Sequence, residues 1–179
     1  MLKIQKINKF SNLELNHLWT IYNESFKKLN SLSPCKQSFD KKEFMEALKK
    51  ETVFKFTPFY EKKIIGIGLI TNEFSNLPWI SKEYFKEKFY ELFIQKKIFY
   101  FMGIAISKEH RRLGYSKLIL REMFNYISDK ESGDSCTLIG FDHSKKHNPF
   151  IPKLTKFINK KLKKHKIESQ EYYTLTIKN

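Results

Sequence analysis

Residues 98–127 constrain the fold of this chain more than any other stretch. Residues 98–107 form a nearly continuous apolar run without proline, which is typical of a strand buried on both faces. Charged residues dominate 108–112, and beyond Gly114 the apolar residues recur at three- and four-residue steps, as on one face of a helix. The apolar face of that helix is predicted to be Tyr115, Leu118, Ile119, Met123, Tyr126 and Ile127. The segment therefore predicts a strand, a short basic turn and a helix that begins near a glycine.

That order suits the binding of an anion at the start of the helix. The first backbone N–H groups of a helix have no partner inside it, and the aligned peptide dipoles leave that end partly positive. Gly114 lets a ligand approach the backbone, Ser116 is small, and Arg111 and Arg112 add positive charge. A phosphate would fit such a site. The alternative is an ordinary strand-to-helix turn with solvated arginines.

Residues 104–119 read Ile-Ala-Ile-Ser-Lys-Glu-His-Arg-Arg-Leu-Gly-Tyr-Ser-Lys-Leu-Ile. They resemble the core motif of the GCN5-related N-acetyltransferase (GNAT) superfamily, in which a hydrophobic strand and a short turn precede Arg/Gln-x-x-Gly-x-Gly/Ala at the head of a helix. The motif falls on Arg111, Gly114 and Ser116, with serine where glycine or alanine is usual. The resemblance covers residues 98–127 closely and the rest of the chain by the order of its elements. It indicates no subfamily.

The resemblance implies an α+β fold, a mixed α/β arrangement in which helices flank a central, twisted, mostly antiparallel sheet. Length favours one domain, residues 1–179. The resemblance also implies acetyl-CoA as acyl donor, with its pantetheine arm inserted where the strand predicted at 136–141 diverges from the strand at 98–107. The residues expected to bind acetyl-CoA are Ile104, Ala105, Ile106, Arg111, Arg112, Leu113, Gly114, Tyr115, Ser116, Lys117 and Asn148.

The remaining elements follow from local patterns. Residues 2–7 alternate as a half-buried strand does, and residues 52–61 and 63–71 predict two strands joined by a tight turn. Ser11 and Asp40 are placed to cap two helices. The first helix is predicted to turn inward Leu13, Leu18, Ile21, Tyr22, Phe26 and Leu29.

Glycines and distal segments complete the prediction. Gly66 and Gly68 lie inside a predicted strand, where the pattern favours a bulge over a close backbone approach. A helix is predicted at 150–162 and a closing strand at 171–177.

In the superfamily the first two helices commonly form one wall of the acceptor site, so residues 23–40 are expected to face the acceptor.

Residues 73–97 are an insertion relative to the resemblance, which predicts only a short connection here. Ser81 is placed to cap an extra helix between the third and fourth strands. Its apolar face is predicted to be Tyr84, Phe85, Phe89, Leu92 and Phe93. Such an aromatic face must be buried against something. It serves as extra core on the sheet, as a lid or wall over the acceptor pocket, or as a dimer contact.

Transfer of an acetyl group to an amine requires a base, because a primary amine has a pKa near ~10.4. The strand at 98–107 has no glutamate for this purpose. Asp142 and His143 are the nearest titratable candidates and are predicted to be catalytic, the alternative being surface residues of a polar loop. No general acid is assigned. No metal site is predicted either, since Lys145 and Lys146 would repel a cation.

Composition bounds the partners. Lys plus Arg number 34 against 19 Asp plus Glu, a net charge of +15, which attracts phosphates, nucleic acid or acidic surfaces unless it is only a lysine-rich solvated surface. No apolar run is long enough to span a bilayer, no leader pattern is seen at the N-terminus, and two cysteines are too few for a disulfide framework. A cytoplasmic location without membrane association is therefore predicted.

The functional prediction is an acetyl-CoA-dependent N-acetyltransferase that acts by direct transfer on a primary amine of a small molecule. The alternatives are an acceptor on protein or tRNA, a basic nucleic-acid-binding protein, and a CoA sensor without turnover. Nucleic acid is the less favoured partner because no RNA-recognition or helix-turn-helix pattern is present. A homodimer is possible, as in many members of the superfamily.

Overall fold

The computed structural model describes residues 2–31, 38–129, 137–139 and 167. The predicted helix at 150–162 and closing strand at 171–177 lie outside these described residues. So do the predicted catalytic residues Asp142 and His143, and Asn148.

The described part of the chain alternates strands and helices in the predicted order. In sequence the elements are β1 Leu2–Lys6, α1 Asn12–Phe26, α2 Lys41–Lys49, β2 Val53–Tyr60, β3 Lys63–Ile64, β4 Gly66–Thr71, α3 Lys82–Lys88, α4 Tyr90–Ile94, β5 Ile98–Ile106, α5 Tyr115–Asp129 and β6 Thr137–Ile139. No helix among these elements has the length and apolar character that a bilayer span requires.

The strands form one sheet in the order β1-β2-β4-β5-β6, with β3 paired to β2. The pairs β1–β2, β2–β4 and β4–β5 are antiparallel, and β5–β6 is parallel. Leu69 packs with α1 and α2 whereas Ile70 packs with α5, and successive residues of a strand point to opposite faces. The helices therefore cover both faces of a mixed, mostly antiparallel sheet, which confirms the predicted fold class.

Both predicted helix caps are confirmed, each as a reciprocal capping box. The Glu14 amide donates to Ser11 Oγ (3.3 Å) and the Ser11 amide donates to Glu14 Oε2 (2.8 Å). The Asp40 and Glu43 pair repeats this exchange at 2.8 and 2.9 Å. At each helix start, two backbone amides that have no acceptor within the helix thereby gain a hydrogen-bond partner.

The predicted inward position of Leu13 is wrong, because its side chain is 84% exposed. Leu15 is buried in its place, together with Leu18 and Tyr22. A helix turns by about 100° per residue, so Leu13 and Leu18 are separated by about 140° around the axis. Both side chains cannot reach the same core.

The strand predicted at 63–71 is interrupted at Ile65. The break lies opposite Pro58, which has no N–H to donate to the ladder; its carbonyl instead accepts from the Ile65 amide at 3.0 Å. The predicted tight turn is present at Glu61 and Lys62, whose φ angles are 48° and 66°. Two positive φ angles in a two-residue loop are typical of a type I′ hairpin turn.

The bulge predicted near Gly66 and Gly68 is present, because the pairing with β2 shifts by one residue between Ile64, opposite Phe59, and Gly68, opposite Phe56. A second irregularity, which was not predicted, lies on the neighbouring strand β5. Leu69 pairs with Gly103 but Ile70 pairs with Phe101, so the register skips Met102 in β5. Gly103 has a φ of 135°, which disfavours any residue with a Cβ. Gly68 also permits a close approach, which is described for α5 below.

The insertion forms two short helices, α3 and α4, rather than the one predicted helix. The predicted cap is confirmed, since the Tyr84 amide donates to Ser81 Oγ at 3.1 Å. The break falls at Phe89, whose φ of −135° is not helical, and it lets rings from both helices contact Phe74. The resulting core cluster consists of Leu77, Phe85, Ile98 and Tyr100, with Phe74, Ile80, Phe89, Leu92, Phe93 and Met102 packed against it. The insertion therefore adds hydrophobic core at the end of the sheet where β5 begins.

Candidate active site

The turn between β5 and α5 is compact and internally bonded. The Ser107 amide donates to Ile65 O at 2.8 Å, which is the last link between β5 and the hairpin. A single 3₁₀ turn, Lys108–His110, follows. Within it the His110 amide donates to Ser107 O (3.0 Å), and Ser107 Oγ lies 2.9 Å from His110 Nδ1. The predicted order of strand, short basic turn and helix is confirmed.

Arg111 is turned back toward the protein. Its Nε donates to Ile106 O at 2.9 Å, and its Nη2 donates to Ser25 Oγ at 3.1 Å. Ser25 Oγ in turn donates to Ile21 O in α1 at 2.8 Å. The guanidinium therefore links the end of β5 to the last turns of α1.

The backbone around Arg112 and Gly114 has an unusual conformation and leaves open space beside Gly114. Both residues are in the left-handed region, with φ angles of 67° and 81°. Apart from its two chain neighbours, no atom of the described residues lies within 4 Å of where a Cβ on Gly114 would be. Left-handed residues within a turn direct successive N–H groups into a shared concavity of the kind that binds anions. The side chains of Arg112 and Lys117 are exposed on either side.

The amides of this turn have no acceptor in the described part of the chain. This holds for the amides of residues 112–116. The next amide, that of Lys117, donates to Gly114 O at 3.0 Å and begins the helical bonding of α5. Five consecutive residues just before and at the start of a 15-residue helix thus have amides without an acceptor among the described residues, and anion binding there stays a prediction.

The position of α5 is set by a close approach to β4. A Cβ on Gly68 would overlap Ile119 Cγ2 and Met123 Cε. Glycine here lets the helix come nearer to the sheet than any other residue would allow. Ile119, Met123 and Ile127 of the predicted apolar face are buried, and the prediction omitted Leu120 and Phe124, which are buried too.

The outer edge of β5 offers further backbone groups. Ser107 directs its amide toward the hairpin strands, so Ile106 and Ile104 direct theirs to the opposite edge, the side of β6. The described residues of β6 pair only with Ile98–Tyr100. The expected divergence of β6 from β5 falls on residues 140–141, outside the described part.

The α1 face of β5 carries five aromatic rings in a continuous chain of contacts. Successive ring centroids are 4.7 Å (Phe26–Tyr22), 5.9 Å (Tyr22–Phe39), 5.8 Å (Phe39–Trp79) and 6.3 Å (Trp79–Tyr100) apart. We call these five residues the aromatic arc. Only Trp79 among them is more than half exposed, at 52%.

Two hydroxyl groups lie within the aromatic arc. The Phe39 amide donates to the Tyr22 hydroxyl at 3.0 Å, and Trp79 Nε1 donates to the Tyr100 hydroxyl at 3.3 Å. Burial raises the pKa of Tyr22 to about 12, although the bond from Phe39 acts in the other direction. Burial likewise raises the pKa of Tyr100. Both hydroxyls are therefore protonated and neutral at pH 7.

The structure brings together most of the residues predicted to bind acetyl-CoA. Residues 104–106 end β5, and residues 111–117 lead into and begin α5, so the two groups lie on either side of one short turn. Asn148, Asp142 and His143 lie outside the described residues. Sequence reasoning missed the aromatic arc and the β5 bulge. A glycine inside the apolar run, Gly103, is the signal that would have indicated the bulge.

Comparison with known proteins gives structural matches alone. No model of a known protein family matches the chain, and no curated protein sequence matches it. One similar structure is the aminoglycoside acetyltransferase meta-AAC0020 from an uncultured soil metagenomic sample, with a TM-score of 0.54 and 14% identity over 98% of this chain and 97% of that one.

Two further matches are similar to the same extent. The ribosomal-protein-S18-alanine N-acetyltransferase from Escherichia coli has a TM-score of 0.54 and 12% identity over 87% of this chain and 75% of that one. The ribosomal-protein-alanine N-acetyltransferase from Brucella melitensis biovar Abortus 2308 has a TM-score of 0.55 and 10% identity, over 97% and 99%. Together with the sheet order and the turn before α5, these matches show that the chain has the fold of the GCN5-related N-acetyltransferases.

Proposed function

We propose that this protein is an N-acetyltransferase that uses acetyl-CoA and transfers the acetyl group directly to a primary amine. The observation that carries the proposal is the turn at residues 112–116, with unused amides and open space at Gly114. The similar structures support it in a general way, because their names describe acetyltransferases with two different kinds of acceptor.

The residues at this turn fit the charged part of acetyl-CoA. The amides of residues 112–116 provide donors for a diphosphate, and Arg112 and Lys117 add positive charge beside them. Arg111 contributes mainly by holding the turn, since its guanidinium bonds Ile106 and Ser25. No metal is needed to hold a diphosphate at a site with this many donors.

The outer edge of β5 fits the pantetheine arm. Ile104 and Ile106 direct backbone groups toward that edge, where an amide-bearing arm would pair with them. Ala105 lies between them, and we assign it to the same contact. Asn148 is assigned to the arm by the resemblance. An arm that follows this edge from the turn leads toward the bulge at Met102.

Bound acetyl-CoA would supply the thioester that the amine attacks. The bulge leaves Met102 out of the pairing with β4, so its backbone is available to polarise a carbonyl. We assign the removal of the amine proton to Asp142 and His143, as the sequence predicts. The thiolate product takes a proton from a donor that we do not assign. The location remains the predicted cytoplasm.

The substitution Gly114→Glu tests the proposal. It places a carboxylate against the amides that would hold the diphosphate, so we expect calorimetry to detect no acetyl-CoA binding, while thermal unfolding shows a folded protein. Gly114→Ala controls for the strain of a Cβ at positive φ, about 1–2 kcal/mol. Asn125→Glu controls for charge, since it adds the same charge about 15 Å farther along α5. Unchanged affinity in Gly114→Glu would contradict the proposal.

A further inference from the structure

The aromatic arc encloses the α1 side of the β5 bulge. At one end, Phe26 covers Gly103, with its Cζ 3.2 Å from where a Cβ would be. At the other end, the arc returns to the same strand at Tyr100. Met102 lies between these two contacts and packs against both the α1 cluster and the insertion cluster. The arc thus contacts β5 on both sides of the bulge, to which the proposed path of the pantetheine arm leads.

The side chains of the arc are uncharged, and all but Trp79 are buried or half-buried. Its two polar side-chain groups, besides the Trp79 indole N–H, are the neutral hydroxyls of Tyr22 and Tyr100. Among the described residues, the carboxylate of Glu43 has an electrostatic effect on the arc, because its negative charge raises the pKa of Tyr22. That carboxylate already accepts a hydrogen bond from the Asp40 amide in the α2 capping box.

Trp79 is the accessible member of the arc. Its indole is held between Phe39 and Tyr100 by ring contacts of 5.8 and 6.3 Å and by the bond from its N–H to the Tyr100 hydroxyl. Half of its surface nevertheless remains exposed. A large indole that is fixed in orientation but still exposed offers a flat surface on which an aromatic group stacks at low entropic cost.

Charge disfavours the opposite class of acceptor. The chain carries a net charge of +15, which repels a polycation during its approach. A polyamine or an aminoglycoside also needs carboxylates to pair with, and an aromatic wall with neutral hydroxyls provides none. A monoamine carries a single positive charge and is repelled less, and its aromatic body needs no carboxylate.

We propose that the acceptor is a monoamine with an aromatic or similarly flat apolar body, and that Trp79 determines this specificity by packing against that body. The inference rests on the proposed function, because it places the acceptor beside the thioester end of acetyl-CoA. It separates this protein from the aminoglycoside acetyltransferases to which it is similar in structure.

The test compares acetyl transfer by the full chain to 2-phenylethylamine and tryptamine with transfer to spermidine and sisomicin. We expect the wild type to favour the two aromatic amines in kcat/KM. Trp79→Ala should raise the KM for 2-phenylethylamine about tenfold while kcat stays within about twofold, because stacking affects binding of the body more than the chemistry. Trp79→Phe, which keeps a ring, should restore most of the affinity.

Tyr90→Ala is the matched control, since Tyr90 is 53% exposed on α4 in the same insertion; its kinetics should equal those of the wild type. Acetyl-CoA affinity, measured by calorimetry, should be unchanged in every variant. Transfer that is no faster to the aromatic amines than to spermidine or sisomicin, including transfer to none of them, would overturn the acceptor inference alone. A wild type that does not bind acetyl-CoA would overturn the proposed function as well.

Discussion

Arg111 and Arg112 lie side by side at the end of the turn that leads into α5. The side chain of Arg111 bonds Ile106 O and Ser25 Oγ and so links β5 to α1. Arg112 is exposed, has a left-handed backbone and lies two residues before Gly114. Two identical neighbours therefore differ in what they contribute, one to the shape of the turn and the other to its charge.

Replacing each arginine by alanine should separate these contributions. We expect Arg111→Ala to lower the free energy of unfolding by about 1 kcal/mol, since two hydrogen bonds from a charged but exposed group are lost. Arg112→Ala should leave stability within about 0.5 kcal/mol and weaken acetyl-CoA binding severalfold. Denaturant unfolding and calorimetry measure the two quantities. Equal effects of both substitutions on both quantities would show that this division is wrong.

Single residues could be predicted from sequence where the cause is local. Ser11 and Asp40 were predicted as caps because each is a capping residue type placed just before a helical pattern, and Glu14 and Glu43 complete the two capping boxes. Leu13 was misplaced because an apolar residue at the edge of a periodic pattern does not reveal which side of the helix is covered. The purpose of Gly68 depends on Met123 and Ile119, which lie far along the chain, so spacing within the strand could not reveal it.

At the scale of elements, the site depends on how closely α5 approaches the sheet. The start of α5 carries the unused amides, and its buried face rests on β4 at Gly68. Because the interior is closely packed, an added methyl group at this contact cannot be absorbed without a shift of the helix. Such a shift would also move Gly114 relative to Ile106.

We expect Gly68→Ala to destabilise the protein by about 1–3 kcal/mol through overpacking against Met123 and Ile119. Met123→Leu removes the terminal methyl that an alanine would meet, so the double variant should lose less than the sum of the single losses. Denaturant unfolding of the four proteins forms a double-mutant cycle. Met102→Leu, on the other face of the sheet, is the control and should be additive with Gly68→Ala. Additive effects for Met123→Leu would contradict the close contact.

The insertion shows what periodicity does and does not reveal about an element. The spacing of its aromatic residues and the cap at Ser81 correctly predicted a helical structure. The break at Phe89 was not predictable, because it accompanies packing around Phe74, outside the helical pattern. The contact of Trp79 with Phe39 joins two connections that are distant in sequence. Only the three-dimensional structure shows this contact.

For the whole molecule, the order of strands and helices along the chain was the sequence feature that best predicted the fold. The strand, turn and helix that begins near a glycine identified one central strand of the sheet. The usual rules for hairpins and crossover connections then predicted which strands lie beside it. The net charge of +15 was less informative. Charge at this scale attracts any polyanion, so it does not by itself distinguish a CoA-binding enzyme from a nucleic-acid-binding protein.

Salt dependence distinguishes these two possibilities. Binding of a 20-base-pair duplex through scattered surface lysines should weaken by a factor of about 10³ or more between 50 and 200 mM NaCl, because many counterions are released. Acetyl-CoA held mainly by the backbone amides of residues 112–116 should weaken less than about tenfold over the same range, since few ion pairs contribute. Gly114→Glu should abolish the second kind of binding and leave the first nearly unchanged, because it alters only one of the chain's charges. Duplex binding that persists at 200 mM NaCl and disappears in Gly114→Glu would instead assign the turn before α5 to nucleic acid.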